Sequence, residues 1–211
     1  LPKKTFFNLP EDKRERLLNA AYVEFSRIPL EEVSINVIIQ HSDISRGSFY
    51  QYFEDKDDLY FYCLSLLKKD QNEGIINCFK KADGDLFESL KDTFKFLYEY
   101  YLNGEYKDFY HHFFVNMSYK RSRNIFEKDS QNDKNQKHMK KFAKILEIVD
   151  QSNLNFTSEE ELNEFLQYIF QMIHWTLSKV FLQNLSEEEA FRIINSRLSW
   201  MENGIRKKEN N

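Results

Sequence analysis

One stretch constrains the fold more than any other: "SINVIIQHSDISRGSFYQYF", Ser34 to Phe53. Ile35, Ile38 and Ile39 recur at three- and four-residue spacing after Ser34, which is a good helix N-cap. The pattern stops at His41-Ser42-Asp43. Asp is one of the few non-glycine residues that tolerate a left-handed backbone, so a tight turn fits at Asp43. Ile44 follows as a buried plug, and Ser45 caps a second short helix over Arg46 to Tyr52. Phe49 and Phe53 lie four apart and share an inward face. Arg46, Gly47, Ser48 and Gln51 point elsewhere, and Tyr50 and Tyr52 point outward.

Two short helices need a third element to bury their apolar sides. The sequence supplies one upstream, from about Pro10 to Ser26. Pro10 suits a first turn, and Glu11 and Asp12 favour the positive end of the helix dipole. Leu17, Leu18, Ala21, Tyr22 and Phe25 make its apolar face. Downstream, Asp55 caps a long helix that begins with Lys56, Asp57 and Asp58 and continues to about Lys81.

The rest of the 211-residue chain has few places to break, with only 5 Gly and 3 Pro in the whole sequence. So few breakers predict an all-α protein with short connections. Further helices are expected at about Leu86–Asn103, Lys107–Met117, Gln136–Asp150, Ser158–Asn184 and Glu187–Lys207. The polar run "EKDSQNDKNQ", Glu127 to Gln136, marks a break. Two domains are expected: residues 1–54, a three-helix helix-turn-helix unit, and residues 55–211, a helical domain.

A helix pair joined by a tight turn is a known way to enter the DNA major groove, with the N-terminal residues of the second helix at base edges. That role gives a reason for "SRGS". Ser45 and Ser48 are small and can hydrogen-bond. Arg46 can reach a guanine edge or a phosphate. Gly47 costs about 1 kcal/mol against alanine inside a helix, which is justified where DNA lies close. The hydroxyls of Tyr50 and Tyr52 can donate to phosphate oxygens, and Lys56 adds a positive charge there. Charge argues the other way. The net charge is −4, and residues 1–60 carry eight Lys/Arg against eleven Asp/Glu. Binding must then rest on a few basic groups on one face; Lys3, Lys4, Lys13 and Arg14 are candidates for an auxiliary phosphate-binding arm.

The segment "SINVIIQHSDISRGSFYQYFEDKDDL" resembles the DNA-binding segment of the TetR family of bacterial transcription regulators. Ser34, Ile38, Ile44, Ser45, Gly47, Phe49, Tyr50, Tyr52, Phe53, Lys56 and Leu59 carry the likeness. "RLLNAAYVEFSR", Arg16 to Arg27, is similar to the family's first helix. Ile39, Ser42-Asp43 and Ile28-Pro29 depart from the family pattern; Asp43 can serve the turn, Ile39 implies a slightly different packing of the two helices, and neither of these two lies on the expected DNA face. The resemblance places base-edge contacts on Asn36, Arg46, Gly47 and Ser48, and phosphate contacts on Ser34, Tyr50, Tyr52 and Lys56. With Ser45 and Gln51 these form the expected DNA-binding set.

The resemblance also implies a C-terminal domain that binds a small effector and forms a homodimer. For the dimer seam, the helical spacing offers Phe165, Ile169, Met172 and Ile173 on one helix, and Phe191, Ile194, Leu198 and Met201 on the next. For the pocket, the aromatic-rich middle offers Phe94, Tyr98, Tyr101, Phe109, His112, Phe113 and Trp175. A flat, hydrophobic or aromatic effector is expected, acting on a repressor at a palindromic operator. The helix beginning at Asp55 would transmit the signal.

Other classes find less support. No His-Glu-x-x-His, Cys-x-x-Cys or glycine-rich phosphate loop appears, so no enzyme, metal site or cofactor is expected. Cys63 and Cys78 fall on one predicted helix, roughly 22 Å apart at 1.5 Å per residue, too far to bridge. No apolar run reaches the ~18–20 residues of a membrane span, and no secretory leader pattern opens the sequence. A cytoplasmic protein is expected, with double-stranded operator DNA, an unidentified small molecule and a second copy as partners. The alternative is a helical protein-interaction module without DNA binding, which the acidic N-terminal balance keeps open.

Overall fold

Asp43 adopts the left-handed conformation that the tight turn demands, with φ 55° and ψ 43°. It separates α3 (Ile35–Ser42) from α4 (Arg46–Tyr52). Before them lie α1 (Lys4–Phe7) and α2 (Glu11–Arg27). After them come α5 (Lys56–Lys81), α6 (Leu86–Leu102) and α7 (Lys107–Asn116). Residues 142–146 are helical, and α8 (Glu159–Gln183) and α9 (Glu187–Ile205) complete the order. This computed structural model describes residues 2–116 and 142–205. Among these there is no strand, so the protein is all-α as expected. Met117 and the run Glu127–Gln136 lie outside the described residues.

Helix ends follow local chemistry. Ser45 caps α4 by accepting from the Ser48 amide at 3.0 Å. Asp55 caps α5 through the Asp58 amide at 2.8 Å. Ser158 accepts from the Glu161 amide at the start of α8, and Asn184 closes that helix with φ 51°. Such left-handed closures satisfy carbonyls that a helix end leaves free. Between α5 and α6, Gly84 has φ 80°. A Cβ there would stand 2.3 Å from the Ile148 carbonyl oxygen, so only glycine fits this turn.

The chain divides into two compact units. One comprises residues 2–71 with 100–116, the other residues 72–99 with 142–205. The sequence leads to the expectation of a boundary near residue 54. The structure instead gathers the first part of α5, the end of α6 and α7 with the helix-turn-helix.

In the first unit Leu17, Ala21 and Phe25 of α2 are buried with Ile38, Phe49, Phe53 and Leu59. Full burial of each large side chain contributes about 1.5–3 kcal/mol. Ile44 is half-buried rather than a sealed plug. The sequence reading missed α1 altogether. Its Phe6 is fully buried, with its ring 5.0 Å from Phe53 and 5.2 Å from Tyr62.

In the second unit α8 and α9 pack on each other. Of the residues expected at a dimer seam, Ile169, Met172, Ile173, Ile194 and Leu198 are buried in the chain's own interior. Phe165, Phe191 and Met201 are half-buried. Helical spacing identifies an apolar face but cannot say whether it meets its own chain or another. The free apolar side chains lie elsewhere on the pair: Tyr168, Trp175 and Leu182, seven residues apart along α8, and Trp200 on α9.

Candidate nucleic-acid interface

The short helix α4 is anchored by its aromatic side. Phe49 and Phe53 are both fully buried, with ring centroids 5.9 Å apart. That anchoring turns Arg46, Gly47, Tyr50 and Gln51 to the exterior, with Ser48 half-exposed. Ser34, Asn36 and Ser45 are exposed beside them, and Tyr52 and Lys56 are half-buried. All ten residues lie on or next to α3, α4 and the start of α5.

Hydrogen bonds organise this surface. Arg46 Nη1 donates to Asn36 Oδ1 at 2.7 Å, bridging α4 to α3. The Arg46 guanidinium also lies 5.8 Å from the Tyr50 ring centre. Guanidinium has five N–H donors, so the bond to Asn36 leaves a usable fork. Ser45 Oγ and Ser48 Oγ share a hydrogen bond of 2.8 Å. Gly47 is open: a Cβ there would meet only Ser45 Oγ, at 3.9 Å. The chain's own packing therefore gives no reason for glycine at this position.

Two residues carry a structural job as well. Lys56 Nζ donates to the carbonyls of Glu31 at 2.7 Å and Val33 at 2.9 Å, pinning the loop before α3. An ammonium has three protons, so one remains for a phosphate. The Tyr52 ring sits 6.4 Å from Phe6, which accounts for its partial burial. Ser34 occupies the N-cap position of α3 but makes no side-chain cap bond.

The aromatic residues expected to line a pocket separate into distinct contacts. Phe94 and Tyr98 pack against Phe191, at 5.1 and 5.3 Å. Phe109 stacks on Tyr60 at 4.9 Å and is fully buried. Tyr101 is buried against Tyr110, at 4.4 Å. His112 and Phe113 are half-exposed, the former paired with Asn116 Oδ1 at 3.1 Å. Trp175 is exposed beneath Lys179 (3.9 Å) and Arg197 (5.1 Å).

The sequence reading overlooked Gln71. It is buried, donates to Tyr110 Oη at 2.6 Å and accepts from Tyr101 Oη at 3.3 Å. Burial pushes both phenols well above their ordinary range. The available signal was a glutamine on an otherwise apolar seam of α5, in step with Tyr60, Cys63, Leu64, Leu67 and Ile75. Cys63 and Cys78 are free and buried, and burial pushes the Cys63 thiol above its ordinary value, which disfavours the reactive thiolate. Among the described residues no group of His, Cys, Asp and Glu could hold a metal ion. Among them, too, no helix is long and apolar enough to cross a membrane.

Comparison with known proteins gives the family and the fold. Residues 17–63 match "Bacterial regulatory proteins, tetR family", and residues 85–205 match "Tetracyclin repressor-like, C-terminal domain". An HTH-type transcriptional regulator of Staphylococcus aureus, SAB2452, is 28% identical over 97 residues, covering 44% of this chain and 50% of that protein. The chain thus spans about half the length of the curated relative it matches. Two solved structures share the fold. SmeT, the repressor of the Stenotrophomonas maltophilia multidrug efflux pump SmeDEF, has a TM-score of 0.61 at 13% identity, with 94% of each chain covered. A TetR family transcription regulator from Marinobacter aquaeolei VT8 has a TM-score of 0.55 at 16% identity, covering 94% of this chain and 97% of its own. With both halves matched in order along the sequence, the chain belongs to the TetR family of bacterial transcriptional regulators.

Proposed function

We propose that this regulator is a homodimeric repressor that reads a palindromic operator through α4 and is released by a small hydrophobic or aromatic effector. The family consists of transcriptional regulators, not enzymes, and its N-terminal part is a DNA-binding helix-turn-helix. The observation that carries the finer reading is the exposed start of α4. There Arg46 is held by Asn36, beside an unobstructed Gly47 and the hydroxyls of Ser45 and Ser48. Arg46 would read a base edge. Ser34, Tyr50, Tyr52 and the third proton of Lys56 would hold phosphates.

The second copy would dock on the exposed side of α8 and α9. Tyr168, Trp175, Leu182 and Trp200 supply its anchors. Trp and Tyr are the residue types that dominate interface energetics, and the Lys179 and Arg197 cations already flank Trp175. Exposed Glu161 and Glu164 lie toward the start of α8 and Lys179 toward its end. An antiparallel pairing of two α8 helices would therefore place opposite charges together. Dimerisation sets two recognition helices one DNA turn apart, the geometry a palindrome requires. Effector binding would act through α5, which contributes to both compact units, and only to the extent that the ligand prefers one arrangement over the other.

The test is a titration of the purified protein onto the promoter DNA flanking its own gene, at several salt concentrations. Saturable binding that weakens steeply with salt, at two subunits per site, is expected. Absence of binding to that DNA by ligand-free protein would overturn the reading. Trp175→Ala with Tyr168→Ala should raise the dimer dissociation constant at least tenfold by sedimentation equilibrium. An unchanged dimer would remove this face from the interface.

A further inference from the structure

The C-terminal end of α4 is closed by a segment far from it in sequence. A helix leaves its last four carbonyls without internal partners. In α4 the Phe49 carbonyl is taken by the Phe53 amide at 2.9 Å. The remaining three are all taken by the N-terminal segment. Lys3 Nζ donates to the Tyr50 carbonyl at 2.8 Å, and the Lys3 backbone amide donates to the Tyr52 carbonyl at 2.8 Å. Thr5 Oγ1 donates to the Gln51 carbonyl. Directly behind these bonds, Phe6 is fully buried between Tyr52, Phe53 and Tyr62, so the segment is fixed rather than merely adjacent.

We infer that residues 3–6 are the terminal cap of the recognition helix, and that Lys3 is a positioning residue for DNA binding rather than a phosphate ligand. The inference rests on α4 being the helix that meets DNA. The physical case has three parts. α4 has only 7 residues, too few to hold its shape by its own hydrogen bonds. A cation at a helix C-terminus is favoured by the dipole and by the free carbonyls. The carbonyls that are held belong to Tyr50, Gln51 and Tyr52, and Tyr50 and Tyr52 carry the hydroxyls expected at phosphates. Holding the main chain there fixes where those hydroxyls point.

By sequence Lys3 is a candidate for a phosphate-binding arm or an ordinary solvated charge, and these roles separate from capping in experiment. Lys3→Met keeps the aliphatic stem and removes the donor; Lys3→Arg restores one. In the full chain, Lys3→Met should weaken binding to a labelled fragment of the flanking promoter about fivefold, with the slope of log affinity against log salt unchanged. In the DNA-free protein, hydrogen exchange of the Tyr50 to Phe53 amides should accelerate by a similar factor. Lys3→Arg should return both values toward the parent. A salt slope that falls by about one unit would make Lys3 a phosphate ligand and overturn the inference. Unchanged affinity, or unchanged exchange, would overturn it too. If the parent protein leaves the promoter unbound, the DNA reading fails, while exchange in the free protein still decides whether the cap exists.

Discussion

Arg46 Nη1 lies 2.7 Å from Asn36 Oδ1, so the side chain best suited to a guanine edge is aimed by a residue on the preceding helix. Asn36 then has a role even if it touches no base. Arg46→Ala should cost about 1–3 kcal/mol of operator affinity and relax the preference at one base pair. Asn36→Ala should cost less, about 0.5–1.5 kcal/mol, the worth of one hydrogen bond. Because the two act together, the double variant should lose less than the sum. Fluorescence anisotropy with operator variants measures all three, and strict additivity would show that the bond is incidental.

Gly47 offers a sharper separation of folding from binding. Nothing in the chain approaches its missing Cβ closely, and it is the second residue of α4, where alanine is better by at most the helix-interior value of about 1 kcal/mol. Gly47→Ala should therefore raise the unfolding midpoint in urea while lowering affinity for DNA. A variant that is more stable and binds equally well would show that no DNA backbone comes close to this position.

Much of this was legible because the signals are local. Asp43, Ser45 and Asp55 act on their own neighbours, so these caps and this turn follow from residue type, whereas Ser34 fits the N-cap position without making the bond. Side-chain faces followed from spacing, as Phe49 and Phe53 demonstrate. What was not legible depends on which surface meets which. Ile173 and Trp175 look equally apolar in a helical pattern, yet one is fully buried and the other half exposed. The α1 segment escaped notice because four residues carry no periodicity, and its reason for folding lies some 47 residues away, at the end of α4. Gln71 was missed for the same reason, since its partners Tyr101 and Tyr110 come from later helices.

Gly74 is the opposite of Gly47. A Cβ there would fall 2.1 Å from Phe96 Cζ, so the α6 ring lies directly on the α5 backbone. Gly74→Ala gains helix propensity of about 1 kcal/mol but forces the ring aside, at about 1–3 kcal/mol. Net destabilisation is expected by urea unfolding. Adding Phe96→Leu, which frees the space, should recover part of it. A stabilised single variant would mean that the ring moves at no cost.

At the starts of α8 and α9 the third helical residue, a glutamate, accepts bonds from the chain just before the helix. At the start of α9, Glu189 Oε2 accepts from the Ser186 amide and hydroxyl, both at 3.0 Å, while Ser186 Oγ accepts from the Glu189 amide at 3.2 Å. At α8, Glu161 Oε2 accepts from the Thr157 amide at 2.7 Å and hydroxyl at 2.8 Å. The amide bonds first, and then the hydroxyl bonds, hold both carboxyl groups below the usual carboxylate range. A carboxyl depressed in the folded state stabilises the fold above its unfolded pKa of about 4.3, and that contribution is lost as pH falls through the folded value. Glu161→Gln with Glu189→Gln keeps an acceptor at each site but removes the charge. The double variant should be less stable than the parent at pH 7, and the gap should narrow as the pH falls below the unfolded value of about 4.3. Urea-unfolding midpoints from pH 7 downward measure it. A gap that persists unchanged at pH 3 would mean that shape, and not charge, accounts for these caps.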